Sequence, residues 1–463
     1  MTDQPTAAPR QLATRTGASV AAALLGVAVC GAWAVAATPP AAAPAAPAAP
    51  QKSAREILDE KYVMGPTAAD ALGYRIVWQT DPLATKDATM QVATPGDDSV
   101  WFGDSAGSVV RVRRDSGEVV WRSSTYQGLE RMVSIDHLPQ GKSDTVYVVT
   151  EINCVTLDGA NGALQRRTSF AQLPSTAPAV YGPYMISGTR TGLVAWYQYA
   201  TGYNWRATTI GGLVNARVTV TGDVALAGSS KGVVFALDAG SAGVIWQRKL
   251  AAGVEATIAA DERAAFVASR DQSLWAFDLQ RGRVLWQYFT QSPLVNDPVR
   301  LGDGLYLQIP EQGLVSFNPH PQEKPDGEVR WKSKAAGDVI GRMGSNLIAW
   351  DKASRTFTQV DAGTGRIVEQ RALPQVASIV VAPKINGDLY LASEDGRVQR
   401  VEPLARPTMT EETTAAAPAG RGKGGLGAPA LKGAPAATDA PAAPAAGGAQ
   451  AIPATQTLNP RPR

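Results

Sequence analysis

Short apolar segments alternate with tight polar turns along most of the chain, in units that resemble one another. Val100–Trp121, Ala225–Trp246 and Ala265–Trp286 each contain an apolar strand, a polar turn, an alternating strand that ends near Asp, a glycine turn and a strand that ends in Trp. Apolar runs of this length, bounded by turn residues, are typical of β-strands. The chain is therefore predicted to consist of repeated antiparallel units.

The units recur at intervals of about 40 to 46 residues, the period of a four-stranded propeller blade. They begin near Val100, Val146, Met185, Ala225, Ala265, Leu305, Ile348 and Tyr390. Tryptophans follow the same interval: Trp78, Trp121, Trp205, Trp246, Trp286 and Trp331. At two positions the tryptophan is missing, at Gln165 and Arg166 and at Val368 and Glu369. We predict that the tryptophans pack between neighbouring blades as structural residues.

The two ends of the repeat region complete each other. Residues 74–80 form a Trp-containing outer strand with no inner strands before it, whereas the last unit, Leu389–Val401, lacks its outer strand. Joining them removes the unpaired edge. We therefore predict an all-β fold, an eight-bladed β-propeller of four-stranded antiparallel blades over residues 74–404, closed by strand 74–80 in the last blade.

The repeats resemble those of the pyrroloquinoline-quinone-type (PQQ-like) propeller family. Asp238–Trp246, Asp278–Trp286 and Asp361–Val368 are similar to its motif, in which an alanine, a leucine and an aspartate precede a Thr-Gly turn and a tryptophan. The resemblance implies the fold but no single activity, because the family includes quinoprotein dehydrogenases and the scaffold lipoprotein of the outer-membrane β-barrel assembly machinery.

The chain ends have a different composition from the repeats. Residues 18–37 are apolar and follow a basic region, residues 1–17, so they fit a signal peptide or a membrane anchor. A lipidated Cys30 remains a further alternative. Residues 38–52 form an Ala/Pro linker, and residues 405–463 form an Ala/Pro/Gly tail predicted to be disordered. The propeller is thus expected in a bacterial cell envelope, on the periplasmic or extracytoplasmic face.

A short helical segment is predicted between the linker and the propeller, at residues 53–73. Ser53 and Glu56 fit a capping box, and Ile57, Leu58 and Tyr62 then fall on one helical face. The segment could cap the rim of the propeller or serve as a docking helix for a partner.

Charge and cysteine content exclude several classes of protein. The net charge is +3 with both signs interspersed, so no basic face for nucleic acid is expected. The chain has two cysteines, Cys30 and Cys154, and two histidines, His137 and His320, none of them with metal-ligand spacing. We expect no metal site and interpret Cys154 as a buried structural thiol.

Two motifs that suggest chemistry lie in the wrong context. Gly103–Gly107 matches the nucleophile elbow of α/β-hydrolases around Ser105, but Gly228–Gly232 repeats the pattern at the same point of another unit, which indicates a turn. Gly422–Gly427 spells a dinucleotide-binding pattern inside the low-complexity tail, where no strand and helix flank it. We assign neither a function and expect no catalytic residue.

Polar residues near the starts of inner strands are candidates for a ligand or partner site in the axial funnel. These are Glu130, Arg131, Asn215, Arg217, Glu255, Asn296, Asp297, Asp338 and Arg342. The resemblance to quinoprotein dehydrogenases would imply a quinone held against a disulfide of adjacent cysteines, with calcium bound by acidic and amide side chains. The propeller holds one cysteine, so we expect no PQQ and calcium.

The sequence favours a monomeric, membrane-anchored or secreted scaffold that binds envelope proteins and is not an enzyme. The alternative is a quinone-dependent dehydrogenase or a small-molecule sensor that uses the axis. A purely structural envelope protein is a third possibility, and removing residues from Ala405 onward without loss of partners would count against it.

Overall fold

The structure is a computed structural model that describes residues 52–83, 85, 88–124, 130–138, 144–382, 384 and 386–404. In these residues, strands form eight four-stranded antiparallel sheets. This confirms the predicted eight-bladed propeller of four-stranded blades. The predicted segments 1–17 and 18–37, most of 38–52 and all of 405–463 lie outside the described residues.

The elements follow the predicted order from the helical segment to the last blade. Two helices and one strand come first: α1 (Ala54–Lys61), α2 (Pro66–Ala71) and β1 (Tyr74–Thr80). Blade 1 contains β2 (Met90–Pro95), β3 (Ser99–Asp104), β4 (Ser108–Arg113) and β5 (Val119–Ser124). Blade 2 contains β6 (Met132–His137), β7 (Thr145–Thr150), β8 (Asn153–Asp158) and β9 (Leu164–Ser169). Blade 3 contains β10 (Ala179–Tyr181), β11 (Tyr184–Gly188), β12 (Leu193–Gln198) and β13 (Asn204–Thr209).

The remaining blades continue in the same way. Blade 4 contains β14 (Thr219–Thr221), β15 (Val224–Gly228), β16 (Val233–Asp238) and β17 (Val244–Lys249). Blade 5 contains β18 (Ala259–Ala260), β19 (Ala264–Ser269), β20 (Ser273–Asp278) and β21 (Val284–Phe289). Blade 6 contains β22 (Val299–Leu301), β23 (Gly304–Ile309), β24 (Gly313–Phe317) and β25 (Val329–Ser333). Blade 7 contains β26 (Asp338–Met343), β27 (Asn346–Asp351), β28 (Thr356–Asp361) and β29 (Ile367–Ala372), and blade 8 contains β30 (Val376–Val381), β31 (Leu389–Ser393) and β32 (Val398–Pro403).

Blade 8 is completed by the N-terminal strand. β1 pairs antiparallel with β32 from Tyr74 opposite Pro403 to Thr80 opposite Val398, so both ends of the repeat region share one sheet. The first strand of each complete sheet lies nearest the axis, because these strands contact one another around the ring. The prediction that strand 74–80 closes the ring is confirmed.

Outer-strand tryptophans hold neighbouring blades together. Each crosses to the next blade and donates its indole N–H to a main-chain carbonyl there: Trp78 to Arg114 (2.8 Å), Trp121 to Gly159 (2.8 Å), Trp246 to Leu279 (2.7 Å), Trp286 to Pro319 (3.0 Å) and Trp331 to Ala362 (2.9 Å). Glycine makes room for the ring. Gly282 has φ +63, and a Cβ there would lie 2.5 Å from the Trp246 indole.

Trp205 does not take part in this arrangement. In blade 4, Trp246 pairs with Ala236 of the neighbouring strand. The corresponding pair in blade 3 is Arg206 with Trp196, so Trp205 lies one residue before the position that Trp246 holds. Trp196, from the neighbouring strand, is fully buried instead and donates to the Ala239 carbonyl at 2.9 Å. The Trp205 indole N–H has no hydrogen-bond partner among the described residues.

The helical segment fills the junction between blades 7 and 8. Ser53 and Glu56 form the predicted capping box of α1. The fully buried Gln399 side chain accepts from the Met64 N–H (2.6 Å) and donates to the Met64 carbonyl (3.0 Å). Met64 and Leu72 join the core of this junction. Blade 8 receives no tryptophan at position 369 because its outer strand comes from the other chain end and leaves no turn to receive one.

Candidate partner-binding site

The upper end of the propeller, as we call it, is the end at which the inner strands begin. Loops leading into the inner strands meet the turns between the second and third strands of each blade. The Glu151 N–H donates to the Arg131 carbonyl at 3.1 Å in blade 2, and the Arg270 N–H donates to the Gly253 carbonyl at 2.9 Å in blade 5. Repetition of this contact places the loops of all complete blades at one end.

Eight of the nine candidate residues lie at the upper end, and three of their contacts join neighbouring blades. The Arg217 guanidinium donates to the Pro178 carbonyl at 2.9 Å, and the Asp297 carboxylate accepts the Thr257 N–H at 2.7 Å. Asn296 donates to the Asp338 carboxylate at 2.9 Å. These side chains therefore connect successive inner-strand loops around the funnel.

The other candidates mostly contact turns of their own or the next blade. Glu130 accepts from Thr150 (2.6 Å) and Asn153 (2.9 and 3.0 Å), and Glu255 accepts from Arg270 (3.0 Å). Asn215 is exposed at the upper end.

Arg131 belongs to a small ion cluster. It pairs with Glu151 at 3.1 Å, and Arg190 of blade 3 pairs with the same carboxylate at 3.2 Å. One acidic group therefore connects blades 2 and 3 across the upper end.

Arg342 lies elsewhere. It stands one residue before the end of β26 and donates to the Gly344 carbonyl at 2.7 Å, at the lower end of blade 7. It is thus separated along the strand from Asp338, which begins β26.

Asp338 has the most perturbed electrostatics of the candidates. Burial raises its pKa above the ordinary value for Asp, and the negative charges of Asp297 and Asp351 act in the same direction, whereas the Asn296 hydrogen bond lowers it. Its side chain keeps an exposed surface. A carboxyl that is open to solvent yet surrounded by protein is what the wall of a funnel provides.

Exposed apolar residues at the upper end were not among the sequence candidates. Ile152, Leu173 and Leu213 are 44%, 54% and 45% exposed, on successive loops of blades 2 to 4. Contacts of the Ile152 carbonyl with the Phe170 N–H (2.8 Å) and of the Leu213 carbonyl with the Ser230 N–H (2.8 Å) fix these loops. We call these three residues the apolar arc. The apolar arc could have been found in the sequence by comparing the turns of successive units and looking for leucine and isoleucine in them.

A mixed-charge cleft of about 690 Å³ also went unpredicted. It lies between blades 8 and 1, lined by Arg75, Arg111, Arg113, Arg114 and Arg400 together with four acidic residues. Arg114 and Arg400 share the buried Asp388 carboxylate, at 2.8 and 3.5 Å. Because its walls come from both chain ends, the cleft exists only once the ring has closed.

The cysteine and histidines hold interior positions. Cys154 is 1% exposed, and burial raises the pKa of its thiol to about 12. His320 hydrogen-bonds to Asp261 at 2.8 Å, and His137 contacts Asp144 and stacks on Trp101. In the part of the chain that the structure describes, no cluster of three or more His, Cys, Asp or Glu side chains could hold a metal ion.

Comparisons with known proteins agree with the repeat type. The family model for the outer membrane protein assembly factor BamB matches residues 186–321, from blade 3 into blade 6. The crystal structure of BamB from Moraxella catarrhalis superposes with a TM-score of 0.56 at 19% identity, covering 71% of this chain and 97% of that one. Residues 186–321 therefore resemble this assembly factor, and the chain shares the propeller fold of BamB.

A second solved structure shows how widely this fold is shared. The computationally designed Ika8 protein gives a TM-score of 0.55 at 14% identity, covering 69% of this chain and 98% of that one. No curated protein sequence matches the chain significantly. The residues matched by the family model include five of the candidates: Asn215, Arg217, Glu255, Asn296 and Asp297. No helix among the described residues is long and apolar enough to cross a membrane, and residues 18–37 lie outside them.

Proposed function

We propose that this protein is a protein-binding scaffold of the bacterial cell envelope that holds its partners at the upper end of blades 2 to 4. The apolar arc is the observation that carries the proposal, and the BamB-like fold supports it. Scattered exposed apolar residues are ordinary on a protein surface, but a group on adjacent rigid loops is typical of an interaction site. Propeller loops held by main-chain hydrogen bonds are suited to presenting such a group.

Charged side chains around the apolar arc indicate what kind of partner fits. Arg131, Arg190, Arg217 and Lys231 lie in this region against Glu130 and Glu151. Four cationic groups and two carboxylates leave an excess of two positive charges. An apolar centre with a polar, charged rim is the general anatomy of a protein interface. The favoured partner surface is therefore acidic around exposed apolar residues.

The proposal is tested by recovering crosslinked partners from solubilised envelope with matched variants. Leu173→Ser with Leu213→Ser should remove partners that the native protein recovers, as quantified by mass spectrometry. The control, Val244→Ser with Val284→Ser, changes two outer-strand residues of similar exposure, 54% and 50%. Equal recovery by both pairs of substitutions would contradict binding at the apolar arc.

The finer part of the proposal concerns location. We propose that residues 18–37 export the chain, as a cleaved signal or as an anchor, and leave the propeller on the extracytoplasmic side. A fusion of residues 1–52 to alkaline phosphatase, which requires export for activity, should be active. Deletion of residues 18–37 should abolish that activity, and an inactive parent fusion would contradict export.

The proposed scaffold uses no quinone. Cys154 is packed between blades 2 and 3 rather than along the axis, and its raised pKa keeps the thiol protonated at neutral pH. Adding PQQ and calcium, desalting and recording the absorbance spectrum tests this part. A quinone band that survives desalting would favour the dehydrogenase or sensor alternative.

A further inference from the structure

The junction between blades 2 and 3 differs from the other junctions of the ring. Six junctions are held by a buried tryptophan and one by the helical segment, whereas here Arg166 holds the tryptophan position. Its guanidinium donates to the Tyr199 carbonyl at 3.2 Å, the site that an indole N–H reaches elsewhere. The chain thus keeps one hydrogen bond of the usual arrangement and loses the packing of the indole ring.

Buried polar atoms at this junction lack partners. The Arg166 Nε and the Thr156 Oγ1 are buried without a hydrogen-bond partner among the described residues. The Tyr199 hydroxyl faces the Asp136 carboxyl, whose pKa is raised by burial. Unpartnered buried polar groups favour states in which water can reach them. We call this junction the blade 2–3 seam, defined by Asp136, Cys154, Thr156, Arg166 and Tyr199.

Two further contacts across the seam are weak. The inner strands β6 and β10 make few contacts with each other. Across the upper end, Glu151 and Arg190 form an ion pair whose side chains are 31% and 70% exposed. Exposed ion pairs contribute little to stability because water and salt screen them. Aromatic contacts of Tyr147 with Tyr199 and of Phe170 with Tyr197 remain across the seam, both with ring centroids 4.8 Å apart. The junction is weakened at the tryptophan position, where the indole is missing and the Arg166 Nε and Thr156 Oγ1 lack partners among the described residues.

We infer that the ring opens first at the blade 2–3 seam. Local opening in proteins follows regions with few apolar contacts and poorly satisfied polar groups. Opening gives water access to Thr156, Arg166 and Tyr199, and it exposes the Cys154 thiol, which is 1% exposed in the closed ring. This inference does not depend on the proposed function, because it concerns the protein without partners.

Cys154 provides a direct measurement of seam opening. In the full chain with Cys30→Ala, Cys154 is the only thiol of the two in the sequence. Its rate of labelling by the thiol reagent DTNB is measured under native conditions, without denaturant or partner. The matched control carries Cys30→Ala, Cys154→Val and Val234→Cys. Val234 is fully buried at the corresponding position of the junction that Trp246 closes.

We expect Cys154 to react at least about tenfold faster than the Val234→Cys thiol, a ratio that corresponds to about 1.4 kcal/mol. Arg166→Trp should slow the labelling of Cys154 by restoring the usual packing. Thr156→Val should slow it too, because it removes one unpartnered hydroxyl, and it serves as the test if Arg166→Trp does not fold. Equal rates for the two thiols, or no slowing in the folded seam variants, would overturn the inference.

Discussion

Replacing Trp246 with alanine tests how the blades are held together. Trp246 is 6% exposed, packs on Gly282 and Phe277, and donates to the Leu279 carbonyl at 2.7 Å. Truncating a buried tryptophan removes its apolar contacts and leaves a cavity, at a cost of about 3 to 5 kcal/mol. The same change leaves a carbonyl without its donor. We therefore expect Trp246→Ala to lower the free energy of unfolding by about 3 to 5 kcal/mol.

Trp205→Ala is the matched control, because the spacing of tryptophans along the sequence predicts the same role for both, whereas in the structure Trp205 lies one residue before the position that Trp246 holds. Trp205 is only partly buried and packs against Tyr184, with its indole N–H unpartnered. Its loss should cost about 1 to 2 kcal/mol, in proportion to the smaller apolar area that it buries. Trp196→Ala should behave like Trp246→Ala, since Trp196 is fully buried and crosses to blade 4.

Equilibrium unfolding in urea, followed by far-ultraviolet circular dichroism, measures these differences. The denaturant dependence should stay the same, so that the midpoint alone reports the change in stability. A loss at Trp205 as large as the loss at Trp246 would refute the argument that a tryptophan stabilises the ring by crossing to the next blade, and not merely by recurring at the repeat interval.

Three further changes have distinct expected outcomes. Gly282→Ala should lower the melting temperature more than Gly182→Ala, because both have positive φ (+63 and +52) but only at Gly282 would a Cβ meet a neighbour, the Trp246 ring at 2.5 Å. Asp338→Asn should raise the melting temperature at pH 7, because the raised pKa of Asp338 means that the folded state disfavours the charged carboxylate. At about pH 3 the substitution should have no effect, because the carboxyl group is then protonated and the penalty is gone. Gln399→Ala should cost about 2 to 4 kcal/mol in urea unfolding, because two buried main-chain groups of Met64 lose their partners; unchanged stability would mean that the helical segment contributes little.

The blade number and the closure of the ring could be predicted because they depend on counting. β1 is an outer strand with no inner strands before it, and β32 is a third strand with no fourth. A two-residue periodicity and turn residues identify strands without knowledge of their neighbours. Because the last blade lacks an outer strand and the N-terminal end supplies one, the two ends of the repeat region can be combined in only one way.

Contacts between blades could be predicted only in part. Counting eight residues from the end of the third strand reaches Trp246 from Asp238, but it reaches Arg206 from Gln198 and Arg166 from Asp158. The average interval between tryptophans hid this shift of one residue at Trp205. In the structure, each outer strand has a register irregularity beside this position, so one residue decides whether a side chain crosses to the next blade.

The candidate site could likewise be predicted only in part. The starts of inner strands could be located, and eight of the nine candidates lie at one end, but Arg342 was separated from the others because strand ends were uncertain by several residues. Equivalent loop positions in three successive blades carry Arg217, Thr257 and Asp297. The repeat therefore fixes where these side chains lie, but the charge at that position differs from blade to blade.

Departures from the repeat therefore carry more functional information than the repeat itself. The glycine turns and tryptophans recur because six of the eight junctions are held by a buried tryptophan, and a designed protein of 14% identity shares the fold. Arg166 in place of tryptophan and the apolar arc both lie in blades 2 to 4, although Val295 on the loop into blade 6 is also exposed at the upper end (49%). The arc begins with Ile152 and Leu173, one on each side of the blade 2–3 seam, and Glu151 and Arg190 bridge that seam beside them. A partner bound across these loops would contact both sides of the blade 2–3 seam, so partner binding and closure of the seam should stabilise each other.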